Sequence, residues 1–181
     1  MFDRFALGDL SVRALGAPMA GGPSTPALAA AVSNGGGLGF LAAGMLSAEE
    51  LADSILAARR LTSGALGVNL FVPQAPVATI EQLGAFAAAL EDEAEHYGVA
   101  LGEPDDDDDE WAAKLDVVCD LRPEAVSFTF GSPNQAECNR LSGAGILTLA
   151  TVTTVREAVI AVSFGADAVV AQGPEIGRAH V

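Results

Sequence analysis

The sequence predicts an α/β protein built as an incomplete (β/α)8 TIM barrel, with about six of the eight strands present. Three observations predict it: six apolar runs of strand length, helical segments after five of them, and turn or cap residues at matching positions. Apolar runs that alternate with helices are typical of parallel strands joined by right-handed crossovers. An open dinucleotide-binding sheet would need Gly-x-Gly-x-x-Gly between its first strand and helix, and the sequence lacks that pattern there.

A turn rich in glycine and proline, residues 16–26, joins the first apolar run to the first helix. Its two adjacent glycines lack Cβ atoms and therefore let a flat ligand approach the main chain closely. Ser24 or Thr25 can cap the helix that follows, and Pro26 suits its first position because no amide donor is needed there. An ordinary strand-to-helix connection explains the same residues, so the turn alone does not establish a ligand site.

The remaining elements repeat the order of strand, turn and helix. The predicted strands after the first are residues 38–42, 66–72, 125–130, 146–152 and 168–171. The predicted helices are residues 26–34, 47–61, 80–97, a segment containing Trp111, Ala112 and Leu115, a segment after Gly131, and residues 154–164. This periodic change from strand to helix is the pattern of successive βα units.

Three further helix starts carry side chains suited to capping. Two of them have the spacing of a capping box, namely Ser47 with Glu50 and Thr154 with Glu157. For the helix after Gly131 we predict that Ser132 is the cap, with Pro133 in the first turn and Gln135 three residues after the cap.

The composition limits the partners and the location. The chain has 181 residues, of which 24 are acidic and 9 basic, for a formal charge of −15. Such a charge repels phosphate backbones and anionic membrane surfaces, so we expect neither nucleic acid nor a membrane as a partner. No apolar run approaches the roughly 18 residues of a membrane-spanning helix, and the N-terminus lacks a secretion signal, so a cytoplasmic protein is expected.

No metal site is expected from the sequence. Cys119 and Cys138 have no metal-ligand spacing and are predicted to be buried free thiols. The five consecutive aspartates at residues 105–109 are predicted to form a solvated acidic run, since adjacent like charges repel each other.

Polar or unusual residues recur at the carboxyl ends of the predicted strands. They are Met19, Asn69, Thr129, Thr151 and Gln172. A (β/α)8 barrel builds its active site at that end of its strands. Asn69 is compatible either with a satisfied polar group in the core or with a ligand contact at the same mouth as Gln172.

These strand ends resemble the nitronate monooxygenases, an FMN-dependent family formerly called 2-nitropropane dioxygenases. The resemblance rests on five segments, residues 17–25 (APMAGGPST), 35–40 (GGGLGF), 67–73 (GVNLFVP), 126–131 (VSFTFG) and 171–173 (AQG). It implies a TIM barrel with FMN across its mouth, with Ala17, Pro18 and Met19 against the flavin and Asn69 and Gln172 hydrogen-bonding it. It also implies oxidation of alkyl nitronates with dioxygen to a carbonyl compound and nitrite.

The sequence departs from the family pattern after Gln172 and Gly173. The family continues through an acidic residue and two glycines to a histidine that assists catalysis. Here His180 falls one place beyond that position, so the catalytic role is not carried over and the catalytic residue is unknown. Gly177 coincides with a family glycine that binds FMN.

The last seven residues, EIGRAHV, resemble an in-frame translation of a sequencing adapter, GAGATCGGAAGAGCACACGTC. We therefore expect residues 1–174 to be a partial TIM-barrel FMN-binding domain and residues 175–181 to be a non-native tail. A complete barrel typically has about 250 residues, which also favours a gene that is cut off and a fragment that is inactive by itself.

Two other functions are compatible with these residues. An FMN-dependent enoyl-thioester reductase on the same barrel would consume NAD(P)H, whereas nitronate oxidation would consume dioxygen without a nicotinamide. The chain is also compatible with a non-catalytic fragment, because an unclosed barrel leaves its first and sixth strands with unpaired edges. A preparation without flavin absorbance would favour the fragment.

Overall fold

The computed structural model describes residues 4–75, 77–102 and 107–173. The chain divides into two compact units, one formed by residues 1–73 with 109–181 and the other by residues 74–108. In the described residues of the first unit, six parallel strands form one sheet and lie in chain order. The strands are β1 (Leu15–Gly16), β2 (Leu38–Ala42), β3 (Leu66–Phe71), β4 (Ala125–Thr129), β5 (Leu147–Val152) and β6 (Ala168–Ala171).

The helices of this unit follow the strands as predicted. After a 3-10 turn at Leu7–Asp9, they are α1 (Pro26–Asn34), α2 (Ala48–Leu61), α4 (Trp111–Leu121), α5 (Gln135–Gly143) and α6 (Val155–Phe164). Every strand pair is parallel, with Asn69 beside Ser127 and Thr151 beside Val170. The sheet therefore confirms the α/β prediction of an incomplete (β/α)8 barrel with six parallel strands.

Capping side chains fix most of the helix starts. Thr25 rather than Ser24 caps α1, because its Oγ1 accepts from the backbone N–H of Leu28 at 3.2 Å. Both predicted capping boxes, at α2 and at α6, are formed. Each box provides acceptors for two backbone N–H groups that have no partner within the helix, and so fixes the residue at which the helix begins.

The predicted cap of α5 is wrong. The helix begins at Gln135, and its cap is Asn134, whose Oδ1 accepts from the N–H groups of Ala136 and Glu137 at 2.9 and 3.0 Å. Glu137 returns the contact by accepting from the Asn134 N–H at 2.8 Å. Because one asparagine oxygen reaches two helix donors, Asn134 is preferred to Ser132 as the cap.

Two apolar clusters lie on opposite faces of the sheet. The larger one packs the strands against α2 and α4 and includes Val68, Leu70, Ile55 and Val118. The second is formed by residues on the other face together with the N-terminal segment; its members are Leu38, Phe40, Ala125, Leu147, Leu149, Phe5, Leu7, Leu10, Ala65 and Ala168. Since side chains alternate along a strand, a residue between Val68 and Leu70 faces the second cluster.

The first helix packs directly on β2 through a glycine. A Cβ atom at Gly39 would lie 2.0 Å from the carbonyl oxygen of Ala29, so no other residue fits without moving the helix. Close approach of this kind is a common reason for glycine inside a strand.

An ion pair attaches the N-terminal segment to the start of β6. Arg4 Nη1 donates to Asp167 Oδ1 at 2.8 Å, and Asp167 Oδ2 also accepts from the Thr148 N–H at 2.8 Å and from its hydroxyl at 2.7 Å. Burial alone would raise the pKa of Asp167, but the hydrogen bonds from Arg4 and Thr148 lower it below its usual range. The carboxylate is therefore kept ionised in the folded chain.

The second unit contains α3 (Ile80–Tyr97), as predicted. Thr79 and Gln82 form its capping box, and Gly98 ends it with φ of 64°. No helix among the residues that the structure describes is long and apolar enough to cross a membrane.

Candidate functional site

A cavity of about 510 Å³ opens at the carboxyl ends of the strands, where the sequence predicts the site. Its walls come from all six strands or from the residues that follow them. The lining residues are Leu15, Ala17, Pro18, Ala20, Phe40, Asn69, Phe71, Ser127, Thr129, Phe130, Leu149, Thr151, Val170, Ala171 and Gln172. Four of the five residues predicted to contact a cofactor, Ala17, Pro18, Asn69 and Gln172, lie around this one space.

The loop after β1 is held by the Ser24 hydroxyl. Its Oγ accepts from the Met19 N–H at 2.7 Å and lies 3.4 Å from the Ala17 carbonyl oxygen, to which it donates. These contacts join residues 17 and 19 to Ser24, just before α1, and Ala17 and Pro18 lie on the cavity wall. Met19, the fifth predicted residue, is partly buried and is not among the lining residues.

Asn69 lines the cavity and is buried, with 4% of its surface exposed. Its Nδ2 donates to the Ser127 carbonyl oxygen at 3.2 Å, to the Ser127 hydroxyl at 2.9 Å and to the Thr129 hydroxyl at 3.0 Å. The Asn69 Oδ1 accepts from the Thr129 hydroxyl at the longer distance of 3.4 Å. The amide nitrogen thus donates to β4, while Oδ1 has two lone pairs and one long contact and can accept a further hydrogen bond.

Gln172 follows β6 directly and is positioned by its backbone, whose N–H donates to the Val152 carbonyl oxygen at 2.9 Å. Its side chain lines the first cavity and also a second one of about 690 Å³. The two cavities share Thr129, Phe130, Thr151 and Gln172 and therefore lie side by side.

Aromatic rings form one wall of the first cavity. Phe71 and Phe130 meet edge to face with their centroids 4.9 Å apart, and Phe40 lines the same space. Flat apolar walls with a few amide and hydroxyl groups between them are suited to a planar heteroaromatic ligand.

The charge around the two cavities is low. No histidine, lysine or arginine of the described residues lines either cavity, and Glu157 is the charged residue in the wall of the second. Hydrogen bonds from the Thr153 backbone and hydroxyl lower the pKa of Glu157, so this carboxylate stays ionised near neutral pH. The described part of the chain contains no group of three His, Cys, Asp or Glu that could hold a metal ion.

Some predictions from the sequence concern residues that the structure does not describe, and others can be compared with it. Residues 175–181, with Gly177 and His180, lie outside them, as do residues 105 and 106 of the acidic run. At Asp109 the prediction of a solvated carboxylate is wrong, because this side chain pairs with the buried Lys114 at 2.6 Å. Cys119 and Cys138 are both free thiols, as predicted, although only Cys138 is fully buried.

Small polar residues hold the predicted contact residues in place, although the sequence does not predict them as cofactor contacts. Ser127 and Thr129 orient the Asn69 amide, and Ser24 shapes the first loop. Thr129 and Thr151 carry a sequence signal, since both stand at strand ends. Ser24 and Ser127 lie within the segments that resemble the family, but the sequence does not assign them these contacts, because serine is common in strands and turns alike.

The sequence model of one family, described as nitronate monooxygenase, matches residues 7–180. The chain belongs to the nitronate monooxygenase family. A relative from Staphylococcus aureus (strain MRSA252), described as "Probable nitronate monooxygenase", is 38% identical over 159 residues, which are 86% of this chain and 44% of the relative. The chain therefore spans less than half the length of that family member.

Solved structures with a similar fold include a nitroalkane oxidase and a more distant protein. The nitroalkane oxidase from Streptomyces ansochromogenes superposes with a TM-score of 0.85 at 44% identity, covering 92% of this chain and 47% of the oxidase. FabK from Thermotoga maritima superposes with a TM-score of 0.60 at 24% identity, covering 87% of this chain and 39% of FabK, and this likeness concerns the fold alone.

Proposed function

We propose that the whole protein is an FMN-dependent oxidase of alkyl nitronates, which it converts with dioxygen to a carbonyl compound and nitrite. The observation that carries the proposal is the cavity at the strand ends, where Ala17, Pro18, Asn69 and Gln172 meet. Membership of the nitronate monooxygenase family supports the reaction class. The similarity to a nitroalkane oxidase at 44% identity supports nitrogen-bearing alkyl substrates.

The residues of the cavity fit the ring system of a flavin. A volume of about 510 Å³ lies within the range of small-molecule pockets, and the walls are largely aromatic and aliphatic. The pyrimidine edge of an isoalloxazine carries both donors and acceptors, which side-chain amides can match. Asn69 and Gln172 are the amide side chains among the lining residues.

Each residue has a distinct proposed role towards the flavin. Ala17 and Pro18 offer carbon surface to one part of the ring, with Met19 behind them in the same loop. Asn69 accepts a hydrogen bond through Oδ1, because its nitrogen is occupied by Ser127 and Thr129. Gln172, which follows β6, provides a second amide side chain to hydrogen-bond the ring. When bound, FMN supplies the redox chemistry, while the protein orients the substrate and excludes water.

The phosphate of FMN is matched less well than the ring. No lysine or arginine of the described residues lines either cavity, so the phosphate would depend on backbone N–H groups or on residues outside the described ranges. In (β/α)8 barrels this site usually lies after the seventh and eighth strands. We assign no catalytic base among the described residues.

The proposal includes the location and the extent of the domain. A cytoplasmic protein is consistent with Cys119 and Cys138 as free thiols, since reducing compartments keep thiols unpaired. The net charge of −15 argues against nucleic acid as a partner. We propose residues 1–174 as one partial barrel domain and residues 175–181 as a non-native tail.

The test combines a binding and a turnover measurement on the 181-residue chain and on the product of the uninterrupted gene. Each is purified, scanned for flavin absorbance, and assayed for dioxygen consumption and nitrite release with a short alkyl nitronate. We expect both to bind flavin and the longer product to release nitrite without a nicotinamide. Oxidation of NAD(P)H with an enoyl thioester, and no nitrite release, would instead assign the barrel to a reductase.

A further inference from the structure

A buried ion pair lies behind the loop that follows β2. Lys114 of α4 has 1% of its surface exposed, and its Nζ lies 2.6 Å from Asp109 Oδ1. The same ammonium group donates to the Ala43 carbonyl oxygen at 3.0 Å. A buried charge is costly unless it is paired and hydrogen-bonded, so the position of each of these groups constrains the other two.

The pair holds the loop on both sides of Gly44. On one side Lys114 binds the Ala43 carbonyl, and on the other Asp109 Oδ1 accepts from the Met45 N–H at 2.9 Å. Met45 has φ of 67°, a left-handed conformation that a residue with a side chain keeps only when its surroundings fix it. The ion pair supplies contacts that fix this conformation.

Gly44 connects the loop to the cavity. A Cβ atom on Gly44 would lie 2.2 Å from a ring carbon of Phe71, so the Gly44 backbone is a surface against which that ring packs. Phe71 in turn meets Phe130 edge to face, and both rings line the cavity. Displacement of the loop would therefore displace the aromatic wall.

We propose that Lys114 and Asp109 are positioning residues for the aromatic wall formed by Phe71 and Phe130. Their contacts with Ala43 and Met45 reach the wall through the backbone of residues 43–45. The expected effect on flavin binding rests on the proposed function, whereas the effect on the loop does not depend on any ligand.

The test compares Lys114→Met with Val118→Ala, a control one helical turn along α4 whose side chain is fully buried in the larger core cluster. Amide hydrogen exchange is followed by NMR at the Met45 N–H under conditions where both variants are folded. We expect exchange at Met45 to be about tenfold faster in Lys114→Met than in Val118→Ala. The reason is that Asp109, which accepts from the Met45 N–H, loses its ion pair with Lys114 in that variant. Lys114→Arg, which keeps the charge, is expected to restore most of the protection.

Flavin binding supplies the second measurement. Gly44→Ala keeps the ion pair but forces Phe71 to move, and we expect both it and Lys114→Met to weaken FMN binding by about tenfold, with Val118→Ala within twofold of wild type. Gly44→Ala also serves if Lys114→Met does not fold. Unchanged Met45 protection in Lys114→Met, or unchanged affinity in Gly44→Ala, would overturn the proposal. If wild type itself binds no flavin, the proposed function fails while the exchange experiment still decides the role of the pair.

Discussion

Replacing Asn69 by alanine tests whether this buried amide serves the cavity as well as the sheet. The substitution removes three contacts from Nδ2 to Ser127 and Thr129, at 2.9 to 3.2 Å. A well-formed hydrogen bond contributes a net value of about 0.5–1.5 kcal/mol. Because the Ser127 and Thr129 hydroxyls can find other partners, we expect the free energy of unfolding to fall by about 2–3 kcal/mol. For a chain of this length that corresponds to a melting temperature lower by roughly 5–10 °C.

The same substitution removes the Oδ1 acceptor proposed for the flavin. Loss of one hydrogen bond of about 1 kcal/mol weakens binding by about fivefold. Gln172→Ala is the matched comparison, because Gln172 lines the same cavity but is exposed after the end of β6. We expect it to lower flavin affinity by a similar factor while changing the free energy of unfolding by no more than about 0.5 kcal/mol.

The assay is a titration of apo-protein with FMN, followed by quenching of flavin fluorescence, alongside thermal unfolding by circular dichroism. Reduced stability in Asn69→Ala together with an unchanged dissociation constant for FMN would show that Asn69 does not contact the flavin. Asn69 would then be a satisfied polar group of the core and nothing more. Unchanged affinity in Gln172→Ala would remove the second proposed contact in the same way.

Two further predictions concern the fold that carries the site. Arg4→Ala should lower the free energy of unfolding at neutral pH. Because the pKa of Asp167 is lowered in the folded chain, its ionised form stabilises the fold above the ordinary carboxyl pKa of about 4, and this contribution is lost as pH falls through the lowered pKa. The acid unfolding curves of wild type and variant should therefore converge at low pH. The same difference in the free energy of unfolding between wild type and Arg4→Ala at every pH would contradict a stabilising role of the ionised Asp167. Gly39→Ala should destabilise the chain by about 3 kcal/mol or more, because its Cβ would meet the Ala29 carbonyl. Gly84 in α3 has open space around it, so Gly84→Ala should stabilise its helix by about 0.5–1 kcal/mol. Denaturant titrations measure both changes. Similar effects of the two glycine substitutions would show that the packing of α1 on β2 is misjudged.

The sequence predicts the parts of the fold that depend on local chemistry. The bounds of α1 and α3 and the capping box of Thr154 with Glu157 follow from caps and apolar periodicity, which are properties of neighbouring residues. The cap of α5 could not be chosen in this way. Ser132 and Asn134 are both good capping residues, and only the path of the chain after β4 determines which one reaches the helix donors.

The parts of the site that the sequence does not reveal depend on contacts between distant residues. Lys114 has the pattern of a solvated helix residue and Asp109 that of an acidic loop, yet the two meet in the interior behind the β2–α2 loop. Ser127 is 58 positions from Asn69 in sequence and becomes its partner only through the β3–β4 register. Met19 belongs to the same family segment as Ala17 and Pro18, and its N–H donates to the Ser24 hydroxyl, a contact that the sequence does not reveal.

The most direct measurement for the central claim is a crystal structure of the protein grown with FMN. We expect an isoalloxazine ring at the carboxyl ends of the strands, in contact with Ala17 and Pro18 and hydrogen-bonded by Asn69 and Gln172. A flavin bound elsewhere on the chain, or a ring in the cavity more than 4 Å from both amide side chains, a separation beyond any hydrogen bond, would contradict it.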